Sequence, residues 1–568
     1  MRPPLTLLAA AFLAVFPEPA AAHAPNPLDP ASAVERAIGP GEVYEASLRL
    51  RRGESADIVA LQQGIDLVVD LFAPDGALLQ SVDSPNGRNG DEPVAILAAA
   101  DGDYRLLIRP IAANEPRGRF TLRVAELRDR AATERLAAER RRARAEASDW
   151  LRPRSAPLPV TGILPDDLPL APFDALAGEA LVVGLGEATH GSRELNDLRL
   201  SLVRRLVERH GFRLIALEDS ASRWRDLAAY VAGEAAAPPA GAELEWGWIG
   251  RRARHSLLLW ARRWNLAHPG DRIAIVGVDP QDSGPARERF ASFLERAYGA
   301  EVAASWAPAA AELAAADEQT WVFGNSDVSA PVRRLVLEAY ARVQGDSPLL
   351  AQRFGEAATS DAVATARELL QFADFNGGVV APARSRDWYM AVNLLAATGS
   401  SASPPKAIYW AHNAHVSTAA TGWGPTGAVL RQALGCGYRA VASTFGEGAF
   451  VAQRAGDAEN RLLVAALPAG EEETIESVVA GTGPGARLAA WPCEAAAGPA
   501  PWLREPRPLR WIGGLYAPDT PPAGSYRPYR LTEAFDAIAY LPAVAAEDVP
   551  PDRPAVPARP RPQPPSGE

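Results

Sequence analysis

Leu181-Val182-Val183-Gly184-Leu185-Gly186-Glu187-Ala188-Thr189-His190-Gly191 decides the reading of this 568-residue chain. The apolar run Leu181–Gly186 suits a strand buried on both faces. Ser192 then offers an N-cap, and Leu195, Leu198, Leu202, Leu206 and Val207 follow at helical spacing up to Gly211. Strand, loop, helix is the unit of a parallel α/β sheet, and it recurs. Arg213–Leu217, Arg272–Val278, Ala407–Ala411, Tyr438–Ser443 and Phe535–Leu541 read as further strands. Long Ala-rich helices are expected between the third and fourth strands, at 285–317, 331–344, 348–373 and 384–397. The expected fold class is therefore α/β, a mostly parallel sheet flanked by many helices.

Open α/β sheets bind ligands beyond the carboxyl ends of their strands. Glu187 and His190 follow the first strand, Glu218 the second, Asp279 the third, and His412 and His415 the fourth. Parallel strands bring all of these to one rim, which gathers three carboxylates and three of the seven histidines. A carboxylate three residues from an imidazole can orient it as a general base suited to neutral pH. Arg199, two turns into the helix, is within reach of Glu187 or Glu218 as an ion-pair partner. Taken singly, each residue has a plainer role. Glu218 or Asp279 would serve as helix caps, and His190 as a satisfied core histidine. His210, His255 and His268 read as structural. Trp246, Trp248 and Trp423 are core aromatics or the lining of an apolar cleft.

Several classes are excluded. With 58 Lys+Arg against 69 Asp+Glu the chain carries a formal charge of −11, which disfavours nucleic-acid binding. Two cysteines, Cys436 and Cys493, cannot build a disulfide scaffold or a four-cysteine zinc site, though they could pair with each other. There is no P-loop, no H-E-x-x-H and no G-x-S-x-G elbow. Val183-Gly184-Leu185-Gly186 lacks the third glycine of a dinucleotide loop, because Thr189 stands there. Ser403-Pro404-Pro405-Lys406 matches S-x-x-K by chance, in a Pro-rich loop ahead of a strand.

Around this core lie other segments. Residues 1–22 read as a secretory signal, with Arg2, the apolar run Leu5–Phe16 and the small Ala20-Ala21-Ala22. A secreted or periplasmic protein without stable membrane insertion is expected. Residues 39–125 read as a small all-β sandwich, with strands at Ser47–Arg51, Ile65–Phe72, Tyr104–Ile108 and Phe120–Val124 and a turn at Pro74-Asp75-Gly76. Residues 126–172 form a charged helix, from Glu126 to Leu151, and a Pro-rich crossing. In that helix Arg140-Arg141-Arg142 is a solvated face, and Glu126/Arg130 and Arg135/Glu139 are spaced as ion pairs. The α/β region spans 173–541, and 542–568 is a Pro-rich tail expected to be disordered.

Four motifs in order resemble the erythromycin esterase family over roughly 174–541. They are Gly186-Glu187-Ala188-Thr189-His190-Gly191 with Glu194, Arg199 and Glu218; Gly277-Val278-Asp279-Pro280-Gln281; Arg386-Asp387 with Met390-Ala391-Val392-Asn393; and Trp410-Ala411-His412-Asn413-Ala414-His415. The resemblance implies a metal-independent, cofactor-free hydrolase that opens a macrolactone ester with activated water. It puts catalytic roles on Glu187, His190, Arg199, Glu218, His412 and His415; Arg386, Asp279, Trp248 and Trp423 are expected, from their places in the sequence, to support or line the site. Leu195, Asn196, Asp219, Ser220 and Thr426-Gly427-Ala428 depart from the family pattern and are expected to shape the pocket. Asp101-Gly102-Asp103-Tyr104 resembles the closing hairpin of the bacterial pre-peptidase C-terminal module, an addition absent from the resistance enzymes of this family. Two other readings of the cleft stay open. One is a metal-dependent hydrolase using the same carboxylates and imidazoles. The other is a non-catalytic binder of a polyketide or envelope glycan.

Overall fold

A computed structural model describes residues 25–548 except 85–86, 113–114, 240–250, 324–326, 378–384, 400–403, 420–423, 456–460, 494–497, 518–519 and 521. The expected signal segment, Trp246, Trp248, Trp423, Ser403 and most of the expected tail lie outside the described residues. The chain divides into two compact units, 1–142 and 143–568.

The first unit is all-β. One sheet orders the strands 26–27, 44–50, 102–110, 67–72 and 78–82, and the other orders 34–38, 118–128, 55–63 and 89–97. Alternation builds the core. Ala56, Ile58 and Ala60 from one sheet, and Leu48, Leu50, Leu106 and Ile108 from the other, are all buried in one cluster. The Pro74-Asp75-Gly76 turn closes with Gly76 at φ +90°, a conformation that glycine adopts without strain. The sandwich is wider than the sequence suggested, spanning 26–128. Its small-residue strands 55–63 and 89–97 carry too few large apolar side chains to stand out in the sequence. The last strand also runs through Glu126 to Arg128, so the helix starts later, at Arg130, and its first ion pair is Arg130–Glu134 at 2.8 Å.

The second unit is built on ten strands: β1 (Ser155–Leu158), β2 (Val182–Leu185), β3 (Phe212–Ser220), β4 (Ala274–Asp279), β5 (Lys406–Trp410), β6 (Tyr438–Arg454), β7 (Leu462–Leu467), β8 (Ala486–Ala490), β9 (Leu515–Tyr516) and β10 (Ala537–Val544). The sheet order is β1-β8-β10-β6-β2-β5-β3-β4, with β7 and β9 also pairing β6. The run from β10 to β4 is parallel throughout, and β1, β7 and β8 are antiparallel additions. β1 lies inside the stretch expected to be a crossing; Pro157 is tolerated because this strand is at the sheet's edge. β10 passes Pro542 and ends at Val544, so the region taken for tail begins later than expected.

Helices cover both faces. They are α1 (Arg193–His210), α2 (Ala221–Ala232), α3 (Arg251–Ala267), α4 (Gly284–Tyr298), α5 (Ala300–Phe323), α6 (Ala330–Gly345), α7 (Ser347–Phe354), α8 (Glu356–Phe375), α9 (Arg386–Ala397), α10 (Asn413–Val416) and α11 (Thr426–Leu434). Two helices expected to be continuous are broken, at Gly299 (φ +92°) and Gly355 (φ +87°), where backbone geometry overrides apolar periodicity. Helices α4 to α8 bury a separate core around Phe290, Trp306, Leu313, Leu369 and Phe372. Among the described residues no helix is long and apolar enough to cross a membrane.

Cys436 and Cys493 are joined, with Cα atoms 5.8 Å apart. The bond spans 57 positions of sequence, so on the chain-entropy account it stabilises the fold by about 4 kcal/mol. Thiol titration of the denatured, unreduced protein should find no free thiol. The Cys436→Ser/Cys493→Ser double variant should lose roughly 2–4 kcal/mol in urea denaturation. A full thiol count or an unmoved midpoint would show that the crosslink is absent.

Candidate active site

The loop after β2 turns under tight steric control. A Cβ at Gly186 would lie 2.3 Å from Asn413 Oδ1, and one at Gly191 2.0 Å from the Val451 carbonyl oxygen, so only glycine fits at either place. Ser192 caps α1 by accepting the Leu195 amide. Between these points Glu187 and His190 turn toward each other, His190 Nδ1 lying 2.6 Å from Glu187 Oε1.

Glu187 is held on its other side. Its Oε2 pairs with Arg199, which also donates to Asn196 Oδ1 and lies with its guanidinium 4.4 Å from the centre of the Trp410 ring. Both members of this pair are almost wholly buried, with side-chain exposures of 2% and 3%. Burial lowers the Arg199 pKa to about 10 against the opposing pull of Glu187, so the group stays charged at neutral pH. Asn196 donates to the His190 carbonyl at 3.1 Å and to Glu547 Oε1 at 2.6 Å.

A second cluster faces the first. Arg386 donates from Nε to Asp279 Oδ1 at 2.9 Å and from Nη2 to Asp279 Oδ2 at 2.5 Å and Glu218 Oε1 at 2.8 Å. His415 is set between carboxylates, Nδ1 2.7 Å from Asp387 Oδ1 and Nε2 3.3 Å from Glu218 Oε1. Burial opposes its charging, but Asp387 and Glu218 outweigh this and raise its pKa to about 10. That direction favours the imidazolium at neutral pH, with Arg386 Nη1 also 3.3 Å from Nε2. Burial would likewise raise the Glu218 pKa, yet His415, Arg386 and His190 hold it well below the usual carboxylate range.

His412 is committed to the backbone. Its Nδ1 accepts the Ala414 amide at 3.2 Å, and its Nε2 faces the carbonyls of Ala188 at 3.3 Å and Ile512 at 3.2 Å. Burial, then the neighbouring His190, push its pKa down to about 3. It stays neutral, tying the β5 end to the β2 loop and to the segment after Arg510.

The structure thus brings together Glu187, His190, Arg199, Glu218, Asp279, Arg386, His412 and His415. Trp248 and Trp423 lie outside the described residues. The positions expected to shape the pocket are instead buried behind it. Leu195 is a core residue, Thr426 donates to Asp387, Ser220 donates to Glu368, and Asp219 is ringed by Arg223, Arg254 and Trp224. Leu195, Asn196, Asp219, Ser220 and Thr426 therefore support the site and do not line it. Asp387 stands in a quoted motif, yet its hold on His415 is visible only once α9 and α10 are placed. Glu547 carried no sequence signal. Burial raises its carboxyl pKa to about 7. Among the described residues no group of three His, Cys, Asp or Glu side chains is arranged to hold a metal ion. His210 pairs with Asp174 at 3.0 Å and His268 stacks on Trp264, both away from this cluster.

The erythromycin esterase family model matches residues 207–544, more than half of the chain, and so contains Glu218, Asp279, Arg386, His412 and His415. A curated relative, erythromycin esterase type I of Escherichia coli, is 32% identical over 118 residues, covering 20% of this chain and 28% of its own length. Among solved structures, a succinoglycan biosynthesis protein aligns over 72% of this chain and 98% of its own at TM-score 0.54 and 20% identity. A mutant of the erythromycin esterase EreC, in its open conformation, aligns over 69% and 97% at TM-score 0.50 and 20% identity. These structural likenesses concern the fold. Taken with the family match, they lead to one statement of kinship: the chain belongs to the erythromycin esterase family.

Proposed function

We propose that the second unit hydrolyses a carboxylic ester with water activated at His190. One observation carries the reading. Of the three histidines at the rim, His412 and His415 have both ring nitrogens engaged, whereas His190 bonds only through Nδ1. Its Nε2 has no partner among the described residues, and the side chain keeps 11% exposure. A base must have a free nitrogen, a fixed tautomer and a way to the solvent. Glu187 fixes the tautomer, and Arg199 fixes Glu187.

In this reading Nε2 takes a proton from water as the water oxygen bonds to the ester carbonyl carbon. The imidazolium so formed is stabilised by the Glu187 carboxylate at its Nδ1. The oxyanion of the tetrahedral intermediate meets the positive charge of His415 and Arg386, whose side chains keep 15% and 22% exposure. Collapse breaks the bond to the alkoxide, which takes the proton back from His190. Acid and alcohol are released. His412, neutral and fully bonded, is a structural post in this scheme and not the acid that the sequence left it free to be. The name of the curated relative suggests a macrolactone-like substrate, and the disulfide suits the oxidising compartment that a secretory signal would lead to.

A hydrolysis screen of macrolides and simple esters, with His190→Ala as blank, tests the reading. His190→Ala and Glu187→Gln should each cut kcat by about 10²–10⁴-fold with folding intact. Retained turnover in both variants would refute the assignment. Saturable binding without turnover in the unmodified protein would favour the binding role instead.

The two committed histidines also predict a stability profile. The folded pKa of His415, about 10, lies above the unfolded value of about 6.5. Its contribution is complete below pH 6.5 and is lost as pH rises toward 10. For His412, at about 3, the unfolded chain takes a proton that the folded one refuses, so stability falls as pH drops from about 6.5 toward 3. Urea midpoints across pH should peak near neutrality. His415→Gln should flatten the alkaline limb alone, and an unchanged limb would contradict the imidazolium.

A further inference from the structure

Beyond β10 the described chain, residues 545–548, stays against the second unit. Residues 545–548 fold back over the turn that follows His190. The Ala545 carbonyl accepts the Arg193 amide at 2.9 Å, and the Ala545 amide donates to Glu194 Oε2 at 2.6 Å. The Glu547 amide donates to the Gly191 carbonyl at 3.0 Å, and Ser192 forms an antiparallel bridge with Ala546. This strap delivers one side chain inward. Glu547 is only 4% exposed, and its Oε1 accepts from Asn196 Nδ2 at 2.6 Å.

Asn196 is the branch point. The same Nδ2 donates to the His190 carbonyl, and its Oδ1 takes a hydrogen from the Arg199 guanidinium that pairs with Glu187. An unbroken series therefore runs Glu547, Asn196, Arg199, Glu187, His190. Without an acceptor at 547 the Asn196 amide is free to turn about its χ2. Both the carbonyl beneath His190 and the guanidinium behind Glu187 then lose their fixed partner. A buried carboxyl on a segment that contributes little apolar area needs such a reason to be there.

We propose that Glu547 is a positioning residue for His190, acting through Asn196 to hold the Arg199–Glu187–His190 series in register. The inference rests on His190 being the base, and it adds a requirement for the strap that lies past the matched family residues, which end at 544. The test uses full-length protein and p-nitrophenyl butyrate, with proton NMR of the His190 Nδ1–H as a second readout. Glu547→Ala should lower kcat about 10- to 100-fold with KM within about threefold, the scale expected for a misplaced catalytic group. It should also bring the Nδ1–H resonance into fast exchange with water. Glu547→Gln, which keeps an acceptor oxygen for Asn196, should restore both. If the alanine variant does not fold, Glu547→Asp withdraws the carboxyl by one methylene and should show the same losses. Wild-type kcat and wild-type exchange in the alanine or aspartate variant overturn the proposal, as does a glutamine variant as impaired as alanine. If the resonance behaves as expected but no ester is turned over by the unmodified protein, the positioning role stands and the hydrolytic reading falls.

Discussion

Charge neutralisation inside a low-dielectric rim is the constraint on which this site depends. Glu187 and Arg199 are buried together, Arg386 is shared between Glu218 and Asp279, and His415 lies between Asp387 and Glu218. Removing one member of such a pair leaves a stranded charge at a cost of about 3–5 kcal/mol. These residues are therefore interlocked. Arg199 cannot be deleted without exposing Glu187 to burial alone, and the loss of Glu187 would free His190 to rotate. The pairs fix geometry as much as they stabilise, since Glu187 and Glu218 each have their two oxygens engaged by different residues and Arg386 grips both oxygens of Asp279.

The sheet makes this convergence possible. Leu185 at the end of β2 is in register with Trp410 of β5, and Trp410 in turn with Leu217 of β3. β2 and β5 thus end level, and β3 runs on past them to Ser220, so that Glu218, still within the strand, meets the residues that follow the other two. A register shift between Leu217 and Ser220 turns the end of β3, so that Glu218 faces the site while Asp219 is caught by Arg223 and Arg254 behind it. β6 is longer than its neighbours, and its Val451 reaches forward to clasp Gly191. The loop carrying His190 is thus gripped by β6 and by the strap after β10, both across the turn at Gly191–Ser192.

This explains what could be read in advance. Apolar runs marked β2 to β6 and β10, and the rule that ligands gather at strand ends then singled out the residues that meet. Of the antiparallel strands, β7 escaped because it is only half-buried and β1 because it is four residues long and carries Pro157. The helix breaks at Gly299 and Gly355 escaped because apolar periodicity runs on across them. The division of labour among the histidines was not legible at all. It is decided by the backbone amide of Ala414, which is local to His412, and by the carbonyls of Ala188 and Ile512 and by Asp387, which lie 224, 100 and 28 positions from the rings they control. Family-divergent Asn196 and Thr426 looked like pocket residues because they adjoin motifs, yet both are buried hydrogen-bond partners of motif residues.

The balance of charge bears on how the base can work. Glu187 and Arg199 cancel, so a proton arriving on His190 adds a whole charge to a neutral pair. Across the rim, Glu218, Asp279 and Asp387 face Arg386 and His415, three carboxylates against two cations, which leaves one net negative charge. Glu218 is close enough to His190 for the two to interact electrostatically. A cation forming on His190 is thus met by a surplus negative charge that is already in place and already hydrogen-bonded, and nothing has to reorganise as the proton moves. In the proposed reaction the same cluster also faces an oxyanion, so stabilisation there depends on the nearness of His415 and Arg386 and not on the net charge of the rim.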